Sequence, residues 1–425
     1  MRRSIPLTPT PSGISADGGD GVAQRIVVLG AGFAGLWSAI GAARALDELG
    51  IGADRVEIVA IDMTAWHSIR VRNYEADLEG TRVSLDSVLG PIGVRRLEGE
   101  VTGVDVAGRT VAYAANGAPH SIAYDRLVFA LGSRLAHPPI PGLATHAFDV
   151  DTHAAAERLN AHIAALPHRA SSPGQSTVLV VGGGPTGIEA ATEIPGKLRA
   201  AGIAAPRVIL ADHAPRIGAD MGAGALPVIE EALAALGIEA LGGVSVAAVD
   251  AEGATLATGE RIAAATVVWC AGMQAHPLTA QFPVERDRLG RLPVEPSLKI
   301  KGLAAEFAAG DAAWFLVDGV HCSVMSCQHG RPMGRFAGHN VVCNLLDRPM
   351  LPLRIDWYTT ILDLGPWGAV YTEGWDRQLV SQGSAAKRTK EIINRERIYP
   401  PRSGKRREIL DSAGPTVQAP PVRFG

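Results

Sequence analysis

Short unbroken apolar runs recur along the chain, and most are followed by glycine and then by an Ala/Leu-rich stretch. Ile26 to Leu29 and Val178 to Val181 are the clearest, and each leads into a segment with helical spacing, LWSAIGAARAL and IEAATEI. VEIVAID (residues 56–62) and PRVILAD (206–212) follow the two helical segments and end in an acid. YDRLVFALGS (124–133) and TVVWCAG (266–272) are further apolar runs ending in small residues. Runs without polar alternation predict strands buried on both faces, as in a parallel sheet flanked by helices. The pattern therefore predicts an α/β protein in which one strand–helix–strand unit occurs twice, about 150 residues apart. AAEFAAGDAAWF (304–315) predicts one more short strand, then Gly310 and Asp311, then a helix.

The glycines set the chemistry. Gly30, Gly32 and Gly35 have GxGxxG spacing, and so do Gly182, Gly184 and Gly187. In such a unit the first glycine permits the tight turn, and the second lets a pyrophosphate approach the backbone. The third lets helix pack closely on strand. The helix start, Phe33 and Ala34 in one copy and Pro185 and Thr186 in the other, presents free N–H groups and a positive dipole end. Asp62 and Asp212 stand where an acid accepts from ribose hydroxyls. Strand, glycines, helix, strand and acid together predict two dinucleotide sites in one chain.

Composition narrows the function. A net charge of −3 offers no basic field for nucleic acid. Four cysteines, Cys270, Cys322, Cys327 and Cys343, are too few for a disulfide scaffold and fit reduced thiols in a cytoplasm. No apolar run approaches the roughly 18–20 residues of a spanning helix. Residues 1–23, rich in Pro, Gly, Ser and Asp, are expected to be disordered. HCSVMSCQHGRPMGRFAGHN (321–340) concentrates His321, Cys322, Cys327, His329 and His339. Cys327 and His329 diverge by about 200° on a helix, and no CxxC or HExxH is present, so no metal site is expected.

The order of these motifs resembles the pyridine nucleotide–disulfide oxidoreductase superfamily from about Arg25 to Gly374. The nearest likeness is to type II NADH:quinone oxidoreductases. GGGPTGIEAATEI is similar to their second glycine motif, WCAGMQAHPL to the segment after their nicotinamide fold, and FAAGDAA to their second flavin motif. The resemblance implies FAD on the first fold and NADH on the second, with NADPH as an alternative because Arg216 follows Asp212. It implies flavin contacts from Ala130 and Gly132, where the chain leaves the first fold, and from Gly310 and Asp311, whose carboxylate would meet the ribityl chain. Gly272 falls at the nicotinamide edge. It implies that SCQHG begins a helix beside the flavin, with Gln328 near the ring on the acceptor side. Glu189 would face the nicotinamide–flavin junction, there to orient the nicotinamide or relay a proton; a plain helix N-terminal carboxylate is the other reading. Arg70 and Arg72 fall in a loop skirting the flavin, and their role stays open, as do those of Cys322 and Cys327.

The implied architecture is two Rossmann-like domains with a small C-terminal α+β domain. An FAD domain spans 24–145 and 285–345, an NAD(P)H domain 146–284 and a hairpin domain 346–402, with disordered tails at 1–23 and 403–425. The hairpin is expected to turn at Gly365–Gly368. No cysteine occupies the positions that disulfide, coenzyme A disulfide or sulfide:quinone reductases require. The quinone motif departs from the family at Pro332 and Met333. The basic stretch Lys387–Arg407 reads as a solvated face before it reads as a membrane helix. The expected function is an FAD-dependent NADH dehydrogenase passing electrons to a quinone or other small acceptor. The alternatives are a soluble NAD(P)H reductase of a protein carrier or other small acceptor, and a flavin-binding redox sensor resembling apoptosis-inducing factor. The expected location is cytoplasmic or peripheral on the inner face of the membrane, and a homodimer is compatible.

Overall fold

The structure is a computed structural model that describes residues 23–169 and 172–424; the disorder expected for 1–23 falls almost wholly outside them. Two parallel five-stranded sheets form the body. In the first, strand order is 306–308, 126–129, 24–29, 56–62, 95–98. In the second it is 147–148, 266–269, 177–181, 207–211, 238–241. The apolar runs fill the interior positions: Ile26, Val27, Val28 and Leu29 are fully buried, as are Val178, Leu179 and Val180. A two-stranded antiparallel link, Ser133–Leu135 with Met273–Ala275, carries the chain between the two folds.

Glycine decides how the helices approach. Helix Phe33–Glu48 runs alongside helix Cys327–Leu345, and the two touch through backbone. A Cβ at Gly334 would fall 2.3 Å from Ala34 O, and at Gly338 it would fall 2.2 Å from Ser38 O. At Gly41 it would fall 2.9 Å from Arg335 O. Gly330, Gly334 and Gly338 recur every four residues, so one face of the second helix is bare of side chains.

The C-terminal part is a three-stranded antiparallel sheet, 359–363, 369–373 and 378–382, followed by helix Gly383–Ile392. Its first turn is at Gly365–Trp367, where the hairpin was expected. Two expectations are corrected. Asp311 opens a single 3-10 turn, Gly310–Ala312, followed by the two-residue strand Ala313–Trp314 rather than a helix. Residues 403–424 are not a disordered tail: helix Arg406–Asp411 buries Ile409 and Leu410 against the first domain, and Ala413 is buried with them. Ile409, Leu410 and Ala413 have the i, i+1, i+4 spacing of one helical face, but over a single turn, and they are ordered by joining an existing core. Among the described residues no helix is long and apolar enough to cross a membrane.

The helix contact predicts opposite outcomes for one kind of substitution. Alanine gains roughly 1 kcal/mol of helix propensity over glycine. At Gly196, where a Cβ would meet nothing within 4 Å, Gly196→Ala is expected to stabilise the protein by about 0.5–1 kcal/mol. At Gly338 the Cβ meets a backbone oxygen that cannot rotate away, and overpacking costs about 1–3 kcal/mol or more. Gly338→Ala is therefore expected to destabilise, and urea unfolding of the two variants reads both signs.

Candidate functional site

Each glycine motif performs two separable tasks. A Cβ at Gly35 would lie 1.9 Å from Gly30 O, and at Gly187 it would lie 1.7 Å from Gly182 O. These two glycines hold each helix against its own turn. Gly30 sits at φ +86° with its would-be Cβ 2.6 Å from Ala130 O; Gly182 is at φ +118° against Ala271 N. Gly32 and Gly184 differ: a Cβ there would meet nothing within 4 Å. They are the N-caps of Phe33–Glu48 and Pro185–Ala200, and neither has a side-chain cap. Free N–H groups beside open space are what a phosphate requires.

The paired acids are already engaged by backbone. Ala31 N–H donates to Asp62 Oδ2 (2.7 Å), and Thr64 N–H to Asp62 Oδ1 (2.9 Å). In the second fold Gly183 N–H donates to Asp212 Oδ2 (2.5 Å) and Ala214 N–H to Oδ1 (2.6 Å). Burial pushes the Asp62 carboxyl up, against the pull of those hydrogen bonds. Each acid thus ties its strand end to its own glycine loop. Arg216, the residue that left NADPH open, is held bidentate by Glu230 at 2.8 Å.

Asp311 lies against the start of the first helix: a Cβ at Gly310 would meet Ala34 Cβ at 2.7 Å. Ser133 Oγ donates to Asp311 Oδ2 (2.6 Å), and burial raises the Asp311 carboxyl, opposed by Ser133 and by Arg70. Arg70 bridges this point to the second domain. It donates to Ser133 Oγ (3.0 Å) and pairs with Asp151, whose other oxygen takes Leu135 N–H (3.1 Å). Sequence reasoning left Arg70 open, and nothing in its neighbours would have revealed Asp151, 81 positions away. Arg72 has a local partner, Glu75, and a distant one, Tyr399 Oη (2.7 Å). Gly132 and Gly272 flank the interdomain link with φ of +68° and +81°.

Gln328 and Glu189 lie far apart in sequence and are fastened to one strand. Thr359 Oγ1 donates to Gln328 Oε1 (3.2 Å), while Gln328 Nε2 is buried with no protein acceptor among the described residues. Glu189 Oε1 accepts from Asp363 N–H (3.1 Å) and Lys390 Nζ (2.7 Å). Residues 359 and 363 are four apart on a strand, about 13 Å. Burial pushes the Glu189 carboxyl up, and Lys390 opposes this. Lys390, itself buried, also donates to Ile361 O (2.9 Å); burial works against its ammonium, but Glu189 outweighs that and holds it above the ordinary value. Asp363 is in turn bound by Lys387 Nζ (2.6 Å) and Tyr74 Oη (3.2 Å). Two lysines of the supposed solvated stretch are therefore ion-pair partners. Their i, i+3 spacing was the available signal.

The His/Cys cluster disperses. Cys322 is exposed, while Cys327 begins the helix beside Gln328 with its thiol pushed up by burial, so it stays protonated. Cys270 is pushed up to about 12 by burial. His321 stacks on Trp375 (4.5 Å), Trp375 stacks on Tyr358 (4.4 Å), and His329 abuts both edge-on. Among the described residues no three His, Cys, Asp or Glu side chains are placed to share an ion.

Two open glycine cradles, each with a pinned acid, fit one dinucleotide on each fold. The class is a flavin-dependent pyridine-nucleotide oxidoreductase. The chain belongs to the pyridine nucleotide-disulphide oxidoreductase family, whose pattern it matches over residues 24–334. It is 55% identical over 402 residues to an NADH dehydrogenase-like protein of Mycobacterium tuberculosis, covering 93% of this chain and 100% of that one. It is 32% identical over 329 residues to a type II NADH:quinone oxidoreductase of the same species, covering 70% and 68%. Among solved structures, NDH2 from Plasmodium falciparum in complex with NADH superposes with a TM-score of 0.74 at 13% identity, over 92% and 97% of the two chains. The protein is an NAD(P)H oxidoreductase that uses FAD and NADH.

Gly32→Val fills open space and is expected to leave folding intact while abolishing retention of FAD. Gly35→Val drives side-chain atoms into Gly30 O and is expected to unfold the protein; flavin absorbance and circular dichroism separate the two outcomes.

A second expectation concerns acid. Burial lowers His67, His276 and His329 to about 4. The unfolded chain protonates them near 6.5 and the native fold does not, so stability is full above pH 6.5 and is lost as pH falls toward 4. For His329, whose Nδ1 accepts Val324 N–H (2.9 Å), the loss is about 2 kcal/mol by pH 5. His329→Asn keeps an acceptor and cannot titrate, so its fall in Tm from pH 7 to pH 5 is expected to be shallower than the natural protein's.

Proposed function

We propose that this NADH dehydrogenase-like protein delivers its electrons to a quinone-type acceptor that meets the cofactor where Gln328 and Glu189 flank strand 359–363. One observation carries the reading. Two polar groups from different dinucleotide folds are held by one strand of the C-terminal sheet, and one of them, Gln328 Nε2, is a buried N–H donor without a protein partner among the described residues. The names of the relatives, NADH dehydrogenase-like and type II NADH:quinone oxidoreductase, support the same acceptor class.

A bound FAD would supply the two-electron chemistry between NADH and the acceptor. The chain's part is position and charge. The open N–H groups at Gly32 and at Gly184 would hold the two pyrophosphates. Asp212 receives the NADH ribose and disfavours a 2′-phosphate, and Arg216 is occupied by Glu230. Reducing a quinone to a hydroquinone takes two electrons and two protons. Glu189, whose carboxyl is raised by burial and is paired with Lys390 Nζ, forms with that lysine a buried acid–ammonium couple beside the strand through which a proton can pass. Burial raises the Cys327 thiol, the opposite of the lowered thiol that disulfide chemistry uses. Tyr358, Trp375 and His321 stack on one another beside His329 and make a rigid aromatic wall next to the start of the Gln328 helix.

The test resolves the two half-reactions. Gln328→Ala is expected to leave anaerobic bleaching of the flavin by NADH unchanged. It is expected to slow reoxidation by a soluble quinone up to about tenfold, the worth of one hydrogen bond. A slowed reductive half with an unchanged oxidative half places Gln328 on the nicotinamide side and defeats the reading. Reoxidation by a protein carrier or by no acceptor at all in a screen on the pure protein would replace quinone with the reductase or sensor alternatives.

A further inference from the structure

The helix beside the flavin site carries a second set of groups that the oxidoreductase reading does not use. Arg331 and Arg335, one turn apart, both lie over the ring of Trp37, at 4.8 and 4.6 Å from its centroid. They are buried, with exposures of 5% and 4%. The charged groups bearing on Arg331 are Arg335, the Cys327 thiol and Arg397; Arg397 is the one bearing on Arg335. Three N–H donors here, Arg331 Nε, Arg335 Nε and Trp37 Nε1, are buried with no protein acceptor among the described residues.

What covers them is neutral. Arg331 Nη1 donates to Gln418 Oε1 (2.9 Å), and Arg397 donates to Ala419 O. Gly414 passes Arg44. The covering strand is fastened further on by Thr389 Oγ1 to Val422 O (3.2 Å) and by Arg423 to Glu373. From Ser412 to Phe424 it has no Asp or Glu. Burial pushes Arg331 down to about 9 and Arg335 to about 10, and both remain cationic at neutral pH. Buried charge without a counter-charge is expensive. A cluster made solely of N–H donors, two of them planar guanidinium forks, matches one ligand chemistry: the oxygens of a phosphate or carboxylate.

We propose that the buried cluster of Arg331, Arg335, Arg397 and Trp37 is an oxyanion site, and that residues 414–424 are its displaceable cover. The amide oxygen of Gln418 occupies the place of one anion oxygen and leaves when the anion binds. A free phosphate group and the pyrophosphate of bound FAD share this chemistry; the proposal is for the former, a site separate from the cofactor.

Inorganic phosphate is the probe. FAD-loaded protein is titrated with phosphate, with potassium chloride at matched ionic strength as the control, and thermal unfolding and proteolysis within residues 412–424 are followed. Phosphate is expected to raise Tm beyond the chloride control and to speed cleavage of the tail. Gln418→Glu puts a carboxylate into the site from the cover itself. That variant is expected to raise Tm without phosphate and to weaken the phosphate response about tenfold, while NADH reduces its flavin at the normal rate. Arg331→Gln with Arg335→Gln is expected to abolish the response. An equal rise in chloride, an undiminished phosphate response in Gln418→Glu, or no response in the natural protein would overturn the proposal. A response confined to FAD-stripped protein would identify the anion as the cofactor's own pyrophosphate and overturn the separate site.

Discussion

The backbone contact between helices Phe33–Glu48 and Cys327–Leu345 constrains everything near the first cofactor. With Gly334 against Ala34 O and Gly338 against Ser38 O, the two axes approach as closely as main chains allow. Both helices begin at the same end of the pair, because Gly330 lies beside Phe33 and Gly310 while Gly338 lies beside Ser38 and Ala42. Two positive dipole ends therefore converge on one region. The same contact places Gln328 at the helix start and drives the arginines of the neighbouring face over Trp37.

The two dinucleotide folds solve the same local problem in the same way. A carboxylate at a strand end accepts a loop N–H, Ala31 in one and Gly183 in the other, so turn and acid are fixed together before any ligand arrives. Their differences lie in what is added. The first fold gains Asp311 and its link through Ser133 and Arg70 to Asp151, a polar seam running from the flavin motif into the second domain. The second gains a buried glutamate whose partners come from the C-terminal sheet and helix.

That C-terminal sheet acts as a clasp. Strand 359–363 holds the first fold at Thr359 and the second at Asp363, and Lys387 and Lys390 neutralise the acids beneath it. Burial disfavours each of these charges singly, and mutual pairing offsets that cost. The arrangement concentrates titratable groups where two domains and a third element meet, which is where substrates of this class of fold are brought together.

Much of this was legible in the chain itself. Unbroken apolar runs specify strands buried on both faces, and the GxGxxG spacing specifies which turns must lack a Cβ; these are local requirements, readable from neighbours in sequence. The resemblance in motif order carried the cofactors and the family. Partners were not legible wherever they depend on which distant segments the fold brings side by side. Arg70 with Asp151 and Glu189 with Lys390 are such pairs, 81 and 201 positions apart. The order of residues 403–424 was hidden for the same reason: Ile409, Leu410 and Ala413 have helical spacing over a single turn only, too short to stand alone, and are ordered by a core built elsewhere. Local steric and hydrophobic demands were determined by the sequence alone. The pairing of charges across the long intervals of chain was decided by tertiary structure, because Coulomb and hydrogen-bond energies depend on distance in space.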